Sequence, residues 1–410
     1  MSASAGQHGE TRPASPLDFL IIDADHHYYE PDDCFTRHME SAYADRAVNI
    51  RRGEAQFGRV YIGDERMRFF SIIPGDHTGV PGALQAYLKD HAGEGNSLVH
   101  DETIAAHDFP EAMDRPSRVK KMDAQGVEAA IMLPTLGVGV AHELRHDPPA
   151  LFANLRAFNR WLEEDWGFGN RGRIYSLPML SLVDIDLAVA ELERVLAEGA
   201  RSVNLTPGPV NGHSPADPLF DPFWARCQEA GIPVVFHLGN DGLAELYSAQ
   251  WGENPTPPSH RLSPFQRVTA STERATADTL CALVFHNLFG RFPDLRVVSI
   301  ENGAGWVAPL MREMDHVARL AGPRDWTYGH CPGRPSEIFK QHIKISPFPE
   351  ENIPALVELL GPDNVLAGSD WPHPEGCAEP IDYLDGLSGL SPEVVRAVMR
   401  DNTAQLFGLA

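Results

Sequence analysis

The sequence predicts an α/β chain, a (β/α)8 TIM barrel with a small antiparallel β insertion and long loops at its C-terminal face. Three observations carry this. Eight short apolar runs, from "DFLIIDAD" to "NVLAGSD", alternate with amphipathic helical stretches. Such alternation means a parallel sheet with crossover helices, and eight units close a barrel. An open doubly wound sheet would usually carry a Gly-rich phosphate turn after its first strand. Here that position holds "DADHH". Finally, His, Asp and Glu recur at strand C-termini, where barrel enzymes place their chemistry.

The elements follow in order. "DFLIIDAD" is the first strand. An insertion over about residues 32–112 contains "VNIRRGEAQFGRVYIGDERMRFFSII", whose alternation reads as a hairpin or meander. "PSRVKKMDAQG" is a helix ending at Gly126, and "VEAAIMLPT" is the second strand. The helix "PALFANLRAFNRWLEEDW" leads to a third strand in "RIYSLPML". The helix "DIDLAVAELERVLAEG" precedes the fourth strand, "ARSVNLTPG". The helix "DPFWARCQEAG" precedes the fifth, "IPVVFHLG". A second insertion, about 240–275, is rich in Pro, Ser and Thr. "ATADTLCALVFHNLFGRFP" is helical and "DLRVVSIENG" is the sixth strand. The helix "GWVAPLMREMDHVARLAG" is followed by the seventh strand, "HIKISPF". "ENIPALVELLG" is helical, "NVLAGSD" is the eighth strand, and the helix in "SPEVVRAVMRDNTAQLFGL" ends the sequence. Both insertions follow a strand, so both are expected to cap the C-terminal face. Residues 1–17 are expected to be a disordered tail, and residues 18–410 one metal-dependent barrel.

Composition excludes some functions. A formal charge of −23 argues against a nucleic-acid partner, which needs a basic stripe. The apolar runs are far shorter than the ~20 residues that span a bilayer, so no membrane partner is expected. The N-terminal residues lack an apolar segment of the secretory kind. The five cysteines are dispersed and form no CxxC, which fits free thiols in a reducing compartment. The expected location is cytoplasmic.

Four strands end in metal-ligand residue types. The first offers Asp23, Asp25 and His27, the fifth His237, the sixth Glu301 and the eighth Asp370. Strand side chains alternate faces. If Asp25 points into the barrel, so does His27, while His26 points toward the helices. Asp25 and His27 can then grip one ion, or form a buried hydrogen-bonded pair. His237 ends an apolar run before Gly239. Asp370 sits ahead of a loop stiffened by two prolines, and His373, three residues on, is placed to face substrate or move a proton. Glu301 can ligate an ion, act as a base, or simply favour a helix N-terminus. His286, inside an apolar helix, is a candidate further ligand or a packed core histidine. Arg51, Arg52, Arg66 and Arg68 in the first insertion are candidates for binding substrate phosphates, or the cations of a solvated loop.

Taken together, "DADHH", "FHLG", "FPDLRVVSIENGAGW" and "GSDWPHPEG" resemble the amidohydrolase superfamily, in the branch related to aminocarboxymuconate semialdehyde decarboxylase. The resemblance covers roughly Phe19 to Leu409. It implies the (β/α)8 barrel and carries the first-strand His-x-His, the fifth-strand His and the eighth-strand Asp onto Asp25, His27, His237 and Asp370. Two positions depart: Asp25 stands where a His is usual, and Glu301 replaces a sixth-strand His that serves decarboxylases as acid/base. Both changes add negative charge and make a harder, oxygen-richer ligand set, suited to Fe(II) or Mn(II). That pattern resembles the TIM-barrel non-haem diiron monooxygenases of this fold. It implies two Fe ions held by Asp25, His27, His237, Glu301 and Asp370, with His286 as a sixth ligand. The reaction expected is O2-dependent hydroxylation of a bulky apolar, CoA-linked substrate, with Glu301 and His373 catalytic, in a homodimer. The alternative is a mononuclear Zn or Mn enzyme that decarboxylates or hydrolyses a small carboxylate.

Overall fold

The computed structural model describes residues 16–52, 57–70, 73–74, 77–90, 103–169 and 171–409. The expected tail lies outside these except for its last two residues.

Seven parallel strands and one further segment make the barrel. In chain order they are β1 (Ile21–Tyr28), β2 (Val127–Pro134), β3 (Ile174–Ser176), β4 (Val203–Leu205), β5 (Val234–His237), β6 (Val297–Ile300) and β7 (Ile343–Ile345). The eighth segment, residues 365–371, forms no strand ladder and bridges only at its ends. Parallel pairing runs β1–β2–β3 and β4–β5–β6–β7. Single parallel bridges join these runs: Met179 to Asn204, Ile345 to Val365, and Trp371 to His26. The last returns to β1, so the sheet closes and leaves no exposed edge.

Crossover helices cover the outside. Among them are α1 (Arg115–Gln125), α2 (Pro148–Asp165), α3 (Ile185–Ala197), α4 (Asp221–Ala230), α5 (Thr272–Phe285), α6 (Val307–Ala318), α7 (Pro335–His342) and α8 (Ile353–Leu360). Local sequence explains their bounds. Asp114 accepts the Ser117 N–H to cap α1, and Gly126, at φ 74°, ends it. Asp147 caps α2 through Ala150 N–H, with proline in its first turn. Instead of one long helix, α5 stops at His286, because Asn287 turns left-handed at φ 56° before a short helix, Leu288–Arg291.

Two apolar layers follow from strand alternation. Inside the barrel, Ala24, Ile131, Leu133, Leu177, Val235, Val298, Ile300 and Leu366 pack together with Phe407. Outside, strand residues such as Met132, Val234 and Phe236 belong to one buried apolar layer with helix residues such as Phe158, Trp161 and Phe223. Burying each such side chain contributes roughly 1.5–3 kcal/mol.

The first insertion is antiparallel, as expected. Val48–Arg51 pairs with Phe57–Ile62, which pairs in turn with Glu65–Arg66 and Ile73–Pro74. His77–Gly79 pairs with Thr103–Ala105. The backbone N–H of Val48 donates to Asn154 Oδ1 at 2.7 Å, which ties the insertion to α2. No described helix is long and apolar enough to cross a membrane.

Candidate active site

The C-terminal end of β1 carries an irregularity that matters. Its register shifts between Asp23 and His26. Ala24 belongs to the inner apolar layer, yet Asp25, next in sequence, reaches the same interior as His27. The shift accommodates both. His26 turns away, as alternation requires. It lies 3.1 Å from Asp23 Oδ2 and packs on the Trp371 ring. Asp23 Oδ1 in turn accepts the N–H groups of Asp25 and Ser369.

Two acidic residues enter the site through unusual backbone. Val298 and Ile300 face the interior, so simple alternation would point Glu301 outward. Glu301 instead adopts φ 56°, and Asp370 φ 57°. Left-handed backbone is costly for non-glycine residues and tends to persist where a site demands it.

Six side chains meet here. Nε2 of His27 lies 3.1 Å from Asp25 Oδ1, 3.4 Å from Glu301 Oε2 and 3.3 Å from Asp370 Oδ1. Nε2 of His237 lies 2.8 Å from Glu301 Oε2 and 3.9 Å from Asp25 Oδ1. Nδ1 of His373 lies 2.6 Å from Asp370 Oδ1. Two overlapping quartets result, Asp25–His27–His237–Glu301 and His27–Glu301–Asp370–His373. Within each, the donor atoms lie within 4.8 Å of one another. All six residues are buried.

Tautomers can be read from the neighbours. His237 Nδ1–H donates to the Leu238 carbonyl at 2.9 Å. Its Nε2 faces Glu301 Oε2 at 2.8 Å but finds no partner in hydrogen-bond geometry. A buried imidazole nitrogen without a partner beside a carboxylate is an arrangement that a cation can complete. The donor set thus fits a divalent metal ion. The Thr135 hydroxyl donates to the Tyr28 carbonyl at 2.8 Å, so it accepts from His373 Nε2–H at 3.0 Å. His373 Nδ1 is left facing Asp370.

Charge is distributed unevenly across the cluster. Burial works to raise Glu301, but the charges and hydrogen bonds of His237 and His27 outweigh it and hold the carboxyl well below the usual range. Burial and the neighbouring charges of Glu301 and Asp25 push Asp370 well above it. Asp25 is raised by burial, against the pull of His27. Burial works to lower His27, yet hydrogen bonds to Asp25 and Glu301 bring it to about 10. Burial and the His27 charge depress His373.

A cavity of about 750 Å³ opens over the cluster. Glu301 reaches its wall, together with Met67, Arg68, Phe69, Leu238 and Phe348. Both insertions contribute to the lining, including Arg66 from the first and Arg267 from the second.

Some expected site residues lie elsewhere. His286 caps the C-terminal end of α5 and packs edge-on against Tyr328. A crossover helix runs back to the N-terminal ends of the strands, so its last residue is remote from the site. Arg51 pairs with Asp64 and lies over Tyr61. Arg52 pairs with Asp32. Both are exposed on the hairpin, whereas Arg66 and Arg68 do line the cavity. Sequence reasoning missed Thr135, which orients His373, and Arg118, whose Nη2 donates to the His27 carbonyl at 2.6 Å.

A closed parallel barrel with ionisable side chains gathered at its strand C-termini defines a barrel enzyme. The amidohydrolase family profile matches residues 22–409, and the chain belongs to that family, in the branch of aminocarboxymuconate semialdehyde decarboxylase. The crystal structure of an amidohydrolase from Mycobacterium avium subsp. paratuberculosis is 37% identical, with TM-score 0.85, over 96% of this chain and 100% of that one. The 2-amino-3-carboxymuconate-6-semialdehyde decarboxylase of Dictyostelium discoideum is 22% identical over 58% of this chain and 62% of its own length. The 2-keto-4-carboxy-3-hexenedioate hydratase of a Sphingobium strain is 26% identical over 56% and 64%. The chain thus spans somewhat under two thirds of these curated relatives. A dihydroxybenzoic acid decarboxylase from Polaromonas, with manganese and an inhibitor bound, shares the fold at 20% identity and TM-score 0.56, over 81% of this chain and 97% of that one.

These findings correct the expectation of an oxidoreductase. The two curated relatives are a decarboxylase and a hydratase, not monooxygenases. Nothing in these relatives supports the expected two irons, O2 or acyl-CoA. The two quartets share His27 and Glu301 and so form one continuous cluster.

Proposed function

We propose that this chain is a metal-dependent decarboxylase acting on an organic acid, with one divalent cation, Mn or Zn, held by Asp25, His27, His237 and Glu301. The observation that carries the reading is the convergence of these four buried donors beneath the cavity. Two carboxylates balance the charge of one divalent ion, which favours their ionised forms. When bound, the ion supplies a Lewis acid that fixes and polarises the substrate's oxygen groups.

The chain's own residues do the rest. Glu301 is assigned to the ion rather than to proton transfer, because its Oε2 lies 2.8 Å from His237 Nε2 and 3.4 Å from His27 Nε2, among the quartet of donor atoms. Asp370 and His373 are assigned to the proton. They share one across the 2.6 Å contact, and Thr135 fixes the ring. Decarboxylation breaks the bond to the carboxyl carbon, CO2 departs, and the electron pair remains on the substrate carbon. That carbon then takes the proton from the Asp370–His373 pair. Met67, Phe69 and Phe348 supply apolar cavity wall, and Arg66 and Arg68 offer cations to further anionic groups of the acid. The first insertion also packs on the loop after Asp370, where Gly82 N–H donates to the His373 carbonyl at 3.2 Å and Leu84 N–H to the Pro374 carbonyl at 2.8 Å. The two insertions cap the site in this reading.

The test is CO2 release from a panel of aromatic and muconate-type acids by protein loaded with Mn or Zn. His237→Ala should lose the metal. Asp370→Asn should keep it and lose about 100- to 10,000-fold in kcat, the usual worth of a positioned acid/base. Addition of water to substrate without CO2 release would replace decarboxylation by hydration, the reaction of the hydratase relative. Full activity in metal-free protein would overturn the proposal.

A further inference from the structure

Arg118 on α1 is completely buried, at 0% exposure. Removing a guanidinium from water costs several kcal/mol, and buried charges are ordinarily paired with an opposite charge. The hydrogen bonds Arg118 makes among the described residues go to no carboxylate. Nε donates to the Glu111 carbonyl at 2.6 Å, Nη2 to the His27 carbonyl at 2.6 Å, and Nη1 lies 3.8 Å from Met132 Sδ. The guanidinium also sits over the Trp371 ring at 4.5 Å and the Trp166 ring at 5.5 Å. An arginine placed here at such cost contacts the residue bearing one ligand, His27, and the residue directly after Asp370.

The backbone ladder explains the position. β1 and the eighth segment are joined by Ala24 N–H to Ala367 O at 2.9 Å, Asp370 N–H to Asp25 O at 2.8 Å, and His27 N–H to Trp371 O at 2.8 Å. A strand residue's N–H and C=O point to the same side, so the His27 carbonyl also faces the eighth segment. The donor due next would come from just beyond Trp371. Pro372 has no N–H, and the His373 N–H goes to the Asp370 carbonyl at 2.9 Å. The ladder therefore ends one bond short where the barrel closes, at the level of the cluster. Arg118 supplies that donor from behind the sheet.

We infer that Arg118 is a positioning residue of the metal site: it closes the seam between β1 and the eighth segment and so sets His27 against Asp370 from outside the barrel. It touches neither substrate nor ion. The inference rests on the proposed metal site for its affinity readout, and on the ladder alone for its second readout.

The test uses the full chain as Arg118→Met, which keeps bulk and removes the donors, and Arg118→Lys, which keeps the charge but cannot fork between two carbonyls. Mn affinity is measured by calorimetry on folded protein, with melting recorded separately. Arg118→Met should bind Mn about 10- to 100-fold more weakly, the usual effect of losing a group that orients a ligand. Arg118→Lys should fall between it and wild type. Amide exchange should rise selectively over residues 23–30 and 366–373, not across the barrel. A folded Arg118→Met with wild-type Kd, or with exchange raised evenly, would reduce Arg118 to core filling and overturn the inference. If Arg118→Met does not fold, an unchanged Kd and unchanged local exchange in Arg118→Lys overturn it equally. If wild type binds no divalent cation, the decarboxylase proposal fails, while the exchange pattern still decides the role of Arg118.

Discussion

Glu30 shows how a buried carboxylate can support a site without entering it. Its Oε1 accepts N–H groups from Thr135 at 3.0 Å, Leu136 at 2.8 Å and Gly137 at 3.2 Å. These bonds fix the turn that carries Thr135, and hence the His373 ring. Burial pushes Glu30 from an ordinary 4.5 to about 7 in spite of them. The folded chain then binds this proton more tightly than the unfolded chain does. Stability from this group is complete below about 4.5 and is lost as pH rises to about 7. Glu30→Gln keeps the acceptor and removes the titration. Above pH 7 the variant should therefore be the more stable of the two, by at most roughly 3 kcal/mol, and near pH 4.5 the two should converge. Melting curves between pH 4.5 and 8 check this, and parallel profiles for the two proteins would contradict it. In the sequence, Glu30, beyond the strand end, is undecided between a lid contact and a further ligand. Its role depends on a turn more than 100 residues away, which no local pattern encodes. Asp25, His27 and His237 were legible because they end apolar runs. Glu301 was legible by type, but its inward direction depends on a left-handed φ that alternation argues against.

Strand-level features were read well where apolar periodicity was strong. β2, β5 and β6 fall within their expected stretches, β1 starts in its stretch and runs on to Tyr28, and the antiparallel insertion has the expected pairing. The eighth stretch was expected to be an ordinary strand. It bridges only at Val365 and Trp371, and Gly368 between them sits in close contact with β1. A Cβ on Gly368 would come within 2.6 Å of Asp25 Cβ and 2.5 Å of Ser346 Oγ. Real Cβ atoms do not approach that closely, so β1 or the segment must shift. Gly368→Ala should destabilise the fold by about 1–3 kcal/mol, the usual cost of overpacking. It should also weaken Mn binding, because Asp25 is the group displaced. Denaturant unfolding and Mn titration measure the two effects separately. Wild-type values in both would show that the segment yields without moving Asp25. The break of α5 at Asn287 was not legible, since "HNLFGRFP" keeps a helical apolar pattern across the left-handed residue.

At the scale of the whole molecule, closure of the barrel brings β1 against a segment near the other end of the chain, and the cluster sits across that closure. Topology also decides against His286. It ends a crossover helix and lies at the far end of the barrel, although its residue type and apolar setting made it a candidate. A cation held by Asp25, His27, His237 and Glu301 would tie β1, β5 and β6 together at their C-terminal ends. It would also offset part of the repulsion in a chain of net charge −23. Binding of this kind stabilises the folded state by mass action, about 2.7 kcal/mol when free metal is 100 times Kd. A chain this long shifts its melting temperature by no more than about 2–4 °C per kcal/mol. Removing the metal with a chelator should therefore lower the melting temperature by several degrees, and adding Mn in excess should restore it. His286→Ala should show the same chelator-dependent drop and the same metal content as wild type, whereas Glu301→Gln should show a reduced drop. Calorimetric scans with metal analysis of each sample check all three. A metal-free wild type that melts where the Mn-loaded protein melts would mean that no ion links these strands, and the cluster would have to be held by its own hydrogen bonds.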